Sequence, residues 1–306
     1  MPNDTISIRL ENLKDPKSLE IRETIGKIAD LDTPVLICGE TGTGKDFWAG
    51  YLHSISRFPR MLNLNCGDVP ETLLESEWFG YRKGAFTDAD RDYDGKWKSA
   101  GDGIIFLNQI DLLSLNLQSK LLRIIERKRY YPLGSNEETA IDARFVFSAD
   151  STIEEQVESG KFRSDLYFRI STYKIFIPPL RERKKDLMSL MNYFARNRGI
   201  EMKIDARAME MLFHYPWPGN IRELENFVAN AAIMGGALTN ENVDRLYARG
   251  ARILDFARSS EATLKEMESA YIGYLLKKYR NKSRVASILK ISRKSLYNKL
   301  KKDEKR

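Results

Sequence analysis

Two short stretches carry residue types and spacings that can do chemistry. The first is Gly39-Glu40-Thr41-Gly42-Thr43-Gly44-Lys45, with the spacing G-x-x-x-x-G-K. Glycines so placed let the backbone curl until its N–H groups converge on phosphate oxygens, and the lysine adds a point charge. Asp46 follows, where a Ser or Thr hydroxyl usually meets magnesium. The second stretch is "GDGIIFLNQI", residues 101–110, an apolar run that ends in the amides Asn108 and Gln109. Carboxylates at such a strand end bind a divalent ion and activate water. Neutral amides bind the ion weakly through one oxygen and accept no proton at neutral pH. The two stretches point to a site that holds a phosphate-bearing ligand, and they leave open whether it cleaves one.

The elements that position these residues follow from pattern. "PVLICGETGTGKD" reads as a β-branched, apolar strand running through a glycine-rich turn into a helix. Asp15 is a good N-cap and Pro16 suits a first helical position, so residues 15–30 are expected to form a helix before it. Further strands are expected at Met61–Leu64, Ile104–Leu107 and Arg144–Phe147, separated by helical patterns such as "LNLQSKLLRIIERK". Strands alternating with helices predict a parallel, layered α/β domain. After "IFIPPLRER" the strand signals fade, and residues 183–247 read as mainly helical, a lid on the α/β layer.

Composition narrows the class. The 306 residues suffice for two or three domains and a sizeable core. No apolar run approaches the roughly 18 residues that span a bilayer, and "MPNDTISIRL" has no basic segment ahead of an apolar one. Cys38 and Cys66 are too few for a disulfide framework, and with two histidines they give no metal-ligand spacing. A reduced, cytoplasmic setting and no membrane are expected.

Charge is segregated. Residues 271–306 hold 13 Lys/Arg against Asp303 and Glu304, a net of +11, which leaves −4 on the other 270 residues. A basic end on a slightly acidic body predicts a nucleic-acid-binding module. Its pattern is helical. Thr263-Leu264-Lys265-Glu266 is a capping box, Asn281 can cap a second helix, and Ser292 a third, "RKSLYNKLKK". Leu296 and Leu300 then face inward, while Arg293, Lys294, Ser295, Asn298 and Lys299 face out. That is a helix-turn-helix pattern whose last helix suits the major groove of double-stranded DNA.

Several longer segments resemble one family in order along nearly the whole chain: "GETGTGKD", "LNCGDVPETLLESEWFGYRKGAFTDA", "GKFRSDLYFRI", "IPPLRERKKDL" and "PWPGNIRELEN". They are similar to the bacterial enhancer-binding activators of sigma-54 RNA polymerase, which are AAA+ ATPases with a Fis-like C-terminal domain. The resemblance implies an AAA+ α/β subdomain over residues 1–172, a helical lid over 173–247, a linker over 248–262 and a Fis-like helix-turn-helix over 263–306. ATP and Mg2+ are the implied cofactors, with ATP on Gly39–Lys45 and Asp46 and with Arg222 as the lid arginine that senses nucleotide. Asn65 matches the asparagine that switches the catalytic glutamate. Arg163 and Arg169 match arginines that reach a neighbouring subunit's nucleotide.

The same resemblance makes Gly84-Ala85-Phe86-Thr87-Asp88-Ala89 the loop that touches sigma-54, with Asp88 in place of a glycine. It also makes Asn108 and Gln109 a degenerate Walker B pair, where the family has Asp-Glu. "RFVFSAD" departs in parallel, ending Ala149-Asp150 where the family's sensor usually ends Thr-Asn. The implied partners are enhancer DNA, sigma-54 RNA polymerase and its own or related subunits in a ring, expected to be a hexamer. The chain begins almost at the AAA+ core, so control is expected from expression level or a regulatory protein in trans. The expected function is an ATP-binding, DNA-binding regulator of sigma-54-dependent transcription with weak or absent hydrolysis. A fully active ATPase activator, a DNA-bound repressor and a partner subunit of a mixed ring stay open as alternatives.

Overall fold

The computed structural model describes residues 13–67, 70–233, 237–238 and Leu296. The order of elements explains how separate stretches of sequence meet. Helix α1 (Pro16–Ile28) leads to β1 (Val35–Cys38), α2 (Lys45–Ser54), β2 (Met61–Asn65), α3 (Glu71–Phe79) and the one-turn α4 (Gly95–Lys98). Then come β3 (Ile104–Asn108), α5 (Leu115–Arg127), the two-residue strands β4 (Arg129–Tyr130) and β5 (Thr139–Ala140), and β6 (Arg144–Ala149). Helices α6 (Ile153–Glu158) and α7 (Ser164–Ile170) precede β7 (Tyr173–Phe176).

The principal sheet has the order β2-β3-β6-β1-β7, and every pairing in it is parallel. Strands β1 and β6 are buried along their whole length, and β3 is buried except at Asn108, as expected of strands covered on both faces. Register sets the ends level: Asn65 pairs with Asn108, and Cys38 with Ala149. The residues after β1, β2, β3 and β6 therefore emerge on one edge, the carboxyl edge at which open α/β sheets bind ligands. Strand β7 extends the sheet to Phe176, four residues past the 172 boundary expected above.

The expected helix starts are formed. The Asp15 carboxylate accepts the Lys17 N–H at 3.1 Å ahead of Pro16, and Ser114 accepts the Leu117 N–H at 3.2 Å to open α5. A second attachment holds α1 in place. The buried Asp186 carboxylate accepts the Lys14 and Asp15 N–H groups at 2.5 and 2.7 Å and the Ser18 hydroxyl at 2.6 Å. Asp186 belongs to the first lid helix, α8 (Lys185–Arg196), which α9 (Ala206–His214) and α10 (Asn220–Ile233) follow. Two short strands, β8 (Lys203–Ile204) and β9 (Ala237–Leu238), pair in parallel beside them. Among the described residues the expected helical lid is present as three helices.

Residues 1–238 form one compact unit and residues 239–306 a second. Of the second, only Leu296 is described; it is helical and buried. Arg293, Lys294, Ser295, Asn298 and Lys299, proposed to read DNA, lie outside the described residues, as does the 248–262 linker. Among the described residues no helix is long and apolar enough to cross a membrane.

Candidate functional site

The glycine-rich loop joins β1 to α2 at the carboxyl edge of the sheet. Gly42 and Gly44 lie in left-handed conformations, with φ of 78° and 96°, open to glycine at little cost. At Gly42 a side chain is excluded on a second ground, since a Cβ there would collide with the Gly219 carbonyl of the lid. Every carbonyl of the loop from Gly39 to Thr43 is taken up by the protein. Lys45 Nζ donates to Gly39 O at 2.6 Å and Glu40 O at 3.2 Å, and Thr43 Oγ1 also donates to Glu40 O at 2.8 Å. Asn220 Nδ2 donates to Thr41 O at 3.0 Å, the Ile221 N–H to Gly42 O at 2.9 Å, and Arg183 Nη2 to Thr43 O at 2.5 Å. The Thr43 N–H closes the loop on Glu40 O at 3.4 Å, and the loop's carbonyls are held away from any anion that enters. This arrangement fits a phosphate chain.

The lid grips the loop through a residue that the motif leaves unspecified. Glu40 accepts both Arg181 guanidinium nitrogens, at 2.9 and 2.5 Å, and Asn220 Nδ2 at 3.2 Å. Asn220 is buried, with φ of 53°, and its Oδ1 accepts the Leu180 N–H at 2.8 Å. "PWPGNIRELEN" folds to deliver it. Trp217 takes φ of 48° with its indole N–H on Leu212 O, and Glu223 accepts the Gly219 N–H at 2.8 Å to close the first turn of α10. Two residues past Asn220, Arg222 has its Cβ 3.3 Å from the position a Gly42 Cβ would occupy, which places this lid arginine at the phosphate loop.

Charge at the site follows from burial. Burial pushes the Lys45 ammonium pKa below its ordinary value, against the pull of Asp150, Asp111 and Asp46. It pushes the Asp46 carboxyl up, against the charges of Lys45 and Arg222 and a hydrogen bond from Asn108. Lys45 is thus attracted by three carboxylates, of which Asp111 and Asp150 repel each other.

The end of β3 shows how the two amides are held. Ser148 Oγ donates to Asn108 Oδ1 and accepts the Gln109 backbone N–H at 3.1 Å, so one buried hydroxyl fixes the Asn108 side chain and the Gln109 main chain. Gln109 takes φ of 60° and ψ of 50°, a conformation that costs a side-chain-bearing residue about 1 kcal/mol. Its Oε1 lies 3.3 Å from where a Cβ on Gly67 would be, in the turn where Asn65 Oδ1 accepts the Gly67 N–H at 3.2 Å. Asn65, Asn108 and Gln109 are therefore brought together.

Asp150, the acid that "RFVFSAD" supplies, is otherwise employed. Its Oδ1 accepts the Ser151 hydroxyl and both the N–H and hydroxyl of Thr152, each at 3.2 Å, in the turn before α6. Sequence reasoning missed Asp111, whose Oδ1 accepts the Asp150 N–H at 3.1 Å and whose carboxyl is pushed up by burial. The signal was its place two residues beyond the amides, on a short 3-10 turn that carries it back toward Lys45. Among the described residues no group of three or more His, Cys, Asp or Glu is placed to hold a metal. With a neutral amide at each strand-end position, the donor set does not fit a magnesium ion held by the protein.

Two predicted groups lie away from this edge. Arg163 precedes α7 and pairs with Asp165 at 2.7 Å, while Arg169 is exposed and has no ion-pair partner among the described residues. Neither bonds to the phosphate loop of its own chain. The Gly84–Ala89 loop is a tight turn in which Gly84 N donates to Ala89 O at 2.9 Å and Ala89 N to Phe86 O at 3.0 Å. Ala89 is buried; Thr87 and Asp88 are exposed, and the exposed Phe86 ring packs edge-on against Tyr81 at 4.9 Å.

Residues 12–176, which include the phosphate loop, both amides and this turn, match the Sigma-54 interaction domain family. The chain belongs to that family. The rest of this sigma-54 interaction domain protein matches an AAA+ ATPase lid domain over residues 181–246 and the Fis family of bacterial regulatory proteins over 263–302. It is 38% identical to the transcriptional regulatory protein ZraR of Klebsiella oxytoca over 296 residues, 93% of this chain and 67% of that one. It is 40% identical to the Nif-specific regulatory protein of Azospirillum brasilense over 225 residues, 71% of this chain and 36% of that one. The match thus spans about a third of the length of the latter. Among solved structures, NtrX from Brucella abortus superposes with a TM-score of 0.70 at 25% identity, covering 96% of this chain and 70% of that one. NtrX has also been solved in complex with ATP, with a TM-score of 0.69. The AAA+ sheet, the lid and the Fis-type segment expected above are all present in this sigma-54 interaction domain protein.

Proposed function

We propose that the chain is an ATP-binding, DNA-binding regulator of sigma-54-dependent transcription whose own hydrolysis of ATP is weak. The observation that carries the reading is the contrast within one site: a phosphate loop whose carbonyls are all engaged by the protein, beside a strand end with two amides, of which Asn108 is held by Ser148. Binding draws on the loop N–H groups, Lys45 and Arg222. Cleavage needs a group that takes a proton from water, and neither Asn108 nor Gln109 does so. DNA binding would come from the basic C-terminal segment and be salt-sensitive, through lysine and arginine contacts to phosphates.

The exposed guanidinium of Arg169, without an ion-pair partner among the described residues, favours one form of this reading. In a ring, taken to be hexameric, Arg163 and Arg169 would serve the nucleotide of a neighbouring subunit. A mixed ring with an active partner would then use this chain's arginines and not its hydrolysis. ATPase assay of a titrated mixture with an active homologue tests this form: an Arg169→Ala chain should lower the mixture's rate where the wild-type chain does not.

The sigma-54 contact is assigned to Phe86 and Thr87. A half-exposed aromatic on a short turn is the kind of anchor that dominates an interface. Phe86→Ala should weaken sigma-54 retention in an ATP-analogue state by about 30-fold or more, corresponding to roughly 2 kcal/mol. ATP binding should be unchanged. Fluorescence anisotropy of labelled sigma-54 reads the first and that of a fluorescent ATP analogue the second, and equal retention by the variant would remove Phe86 from the contact.

A further inference from the structure

A cavity of about 380 Å³ lies away from the phosphate loop, between α3, α5 and the segment joining β4 to β5. Its floor is apolar, made by Phe79, Ile124, Tyr130 and Leu133, and its volume is that of a small-molecule site. The rim is basic. Lys120 pairs with Glu75 at 2.6 Å and Arg129 with Glu138 at 3.1 Å, which uses up both acids of the lining. Arg123 and Arg127 stand one turn apart on α5, exposed, with no ion-pair partner among the described residues. An apolar floor beneath two unpaired guanidinium groups matches a ligand with an apolar body and an anionic head, since arginine binds carboxylates and sulfonates through charge-assisted, often paired hydrogen bonds.

The cavity wall is also the base of the Gly84–Ala89 turn. Leu133 donates its N–H to Gly80 O at 2.9 Å and accepts the Arg82 N–H at 3.0 Å. Gly134 packs so closely on Ala85 that a Cβ on it would lie 2.8 Å from the Ala85 Cβ. The Phe79 ring, at the end of the helix that feeds the turn, is 5.6 Å from that of Tyr130. A molecule seated between Phe79, Tyr130 and Leu133 would press on both strands of chain that carry the turn.

We propose that this cavity is a binding site for a small organic anion, an aromatic or medium-chain carboxylate, whose occupancy stiffens the base of the Gly84–Ala89 turn. The binding claim stands apart from the sigma-54 reading; only the meaning of the stiffening rests on it.

The probe is 1-anilinonaphthalene-8-sulfonate, titrated by fluorescence onto the full chain and competed with 4-phenylbutyrate or its neutral counterpart 4-phenylbutanol. One saturable site should appear, displaced by the acid and not by the alcohol. The exposed double substitution Arg123→Glu/Arg127→Glu should weaken it tenfold or more, with ATP-analogue binding unchanged as evidence of folding. Hydrogen exchange across residues 80–94 should slow on adding 4-phenylbutyrate to the wild type and not to the variant. Displacement by the alcohol as readily as by the acid, or full probe binding by the variant, would overturn the site. Unchanged exchange with intact competition would overturn the coupling to the turn. Loss of sigma-54 binding with both results in place would sink the sigma-54 reading and leave the site standing.

Discussion

Replacing Asn108 by Asp and Gln109 by Glu together should raise steady-state ATP turnover by about 10²–10⁴-fold, or roughly 3–5 kcal/mol of barrier. The backbone is already arranged for those side chains. Asn108 Oδ1 accepts from Ser148, and an aspartate oxygen of the same shape accepts that bond equally well. Gln109 is held at φ of 60° by its place between β3 and the 3-10 turn, with its amide beside the Asn65–Gly67 turn. A glutamate there gains the one property the amide lacks, a basic oxygen. Gln109→Glu alone should recover most of the rise, because it supplies the base; Asn108→Asp alone should recover less. Phosphate release measured on all four proteins checks the order. A double variant within tenfold of wild type would mean that another acid of the site, Asp46 or Asp111, already does the work.

The second large effect concerns stability. Arg144 is buried at the start of β6 and donates to Ile28 O at 3.0 Å, Ala29 O at 2.5 Å and Thr33 O at 3.1 Å. These are carbonyls at and beyond the end of α1, where the helix itself offers no donor. Burial lowers the guanidinium pKa to about 10, so the group stays charged at neutral pH and its three bonds are charge-assisted. Arg144→Ala strips Ala29 O and Thr33 O of the guanidinium, leaves Ile28 O only the Leu31 N–H at 3.2 Å and opens a void, which should cost about 3–5 kcal/mol. Arg144→Met fills the void without donors and should recover only part of the loss. The midpoint of the first urea transition reads this. An Arg144→Ala midpoint equal to wild type would show that water replaces the guanidinium freely and that α1 is not fastened through β6.

What could be read from the sequence divides by range. The strand–loop–helix unit of residues 35–54 and the strands at 61, 104 and 144 are local patterns of apolar runs and turn residues, and each formed where expected. Their order in the sheet is a matter of long-range pairing and had no local sign. Strand β7 was not named among the expected strands: its four residues, Tyr-Lys-Ile-Phe, are too few to show a period. Strands β4 and β5, two residues each, are too short to have a period. At the site, the glycine spacing identified the phosphate loop, and the resemblance supplied Asn65 and Arg222. The residues that lock the arrangement were not legible. Ser148 reaches the Asn108 amide across 40 residues, and Asn220 reaches Thr41 across 179. Glu40 is an unspecified position of the loop motif, yet it is the residue on which Arg181 and Asn220 converge.

ATP bound to this chain is expected to stay ATP. The direct measurement is a single-turnover experiment on the wild-type protein, with radiolabelled ATP bound below the concentration of sites and quenched with acid over an hour. The account predicts that most of the bound nucleotide is recovered as ATP, while the Asn108→Asp/Gln109→Glu protein converts it within the earliest samples. Conversion to ADP by the wild type at a rate within tenfold of that variant would contradict it.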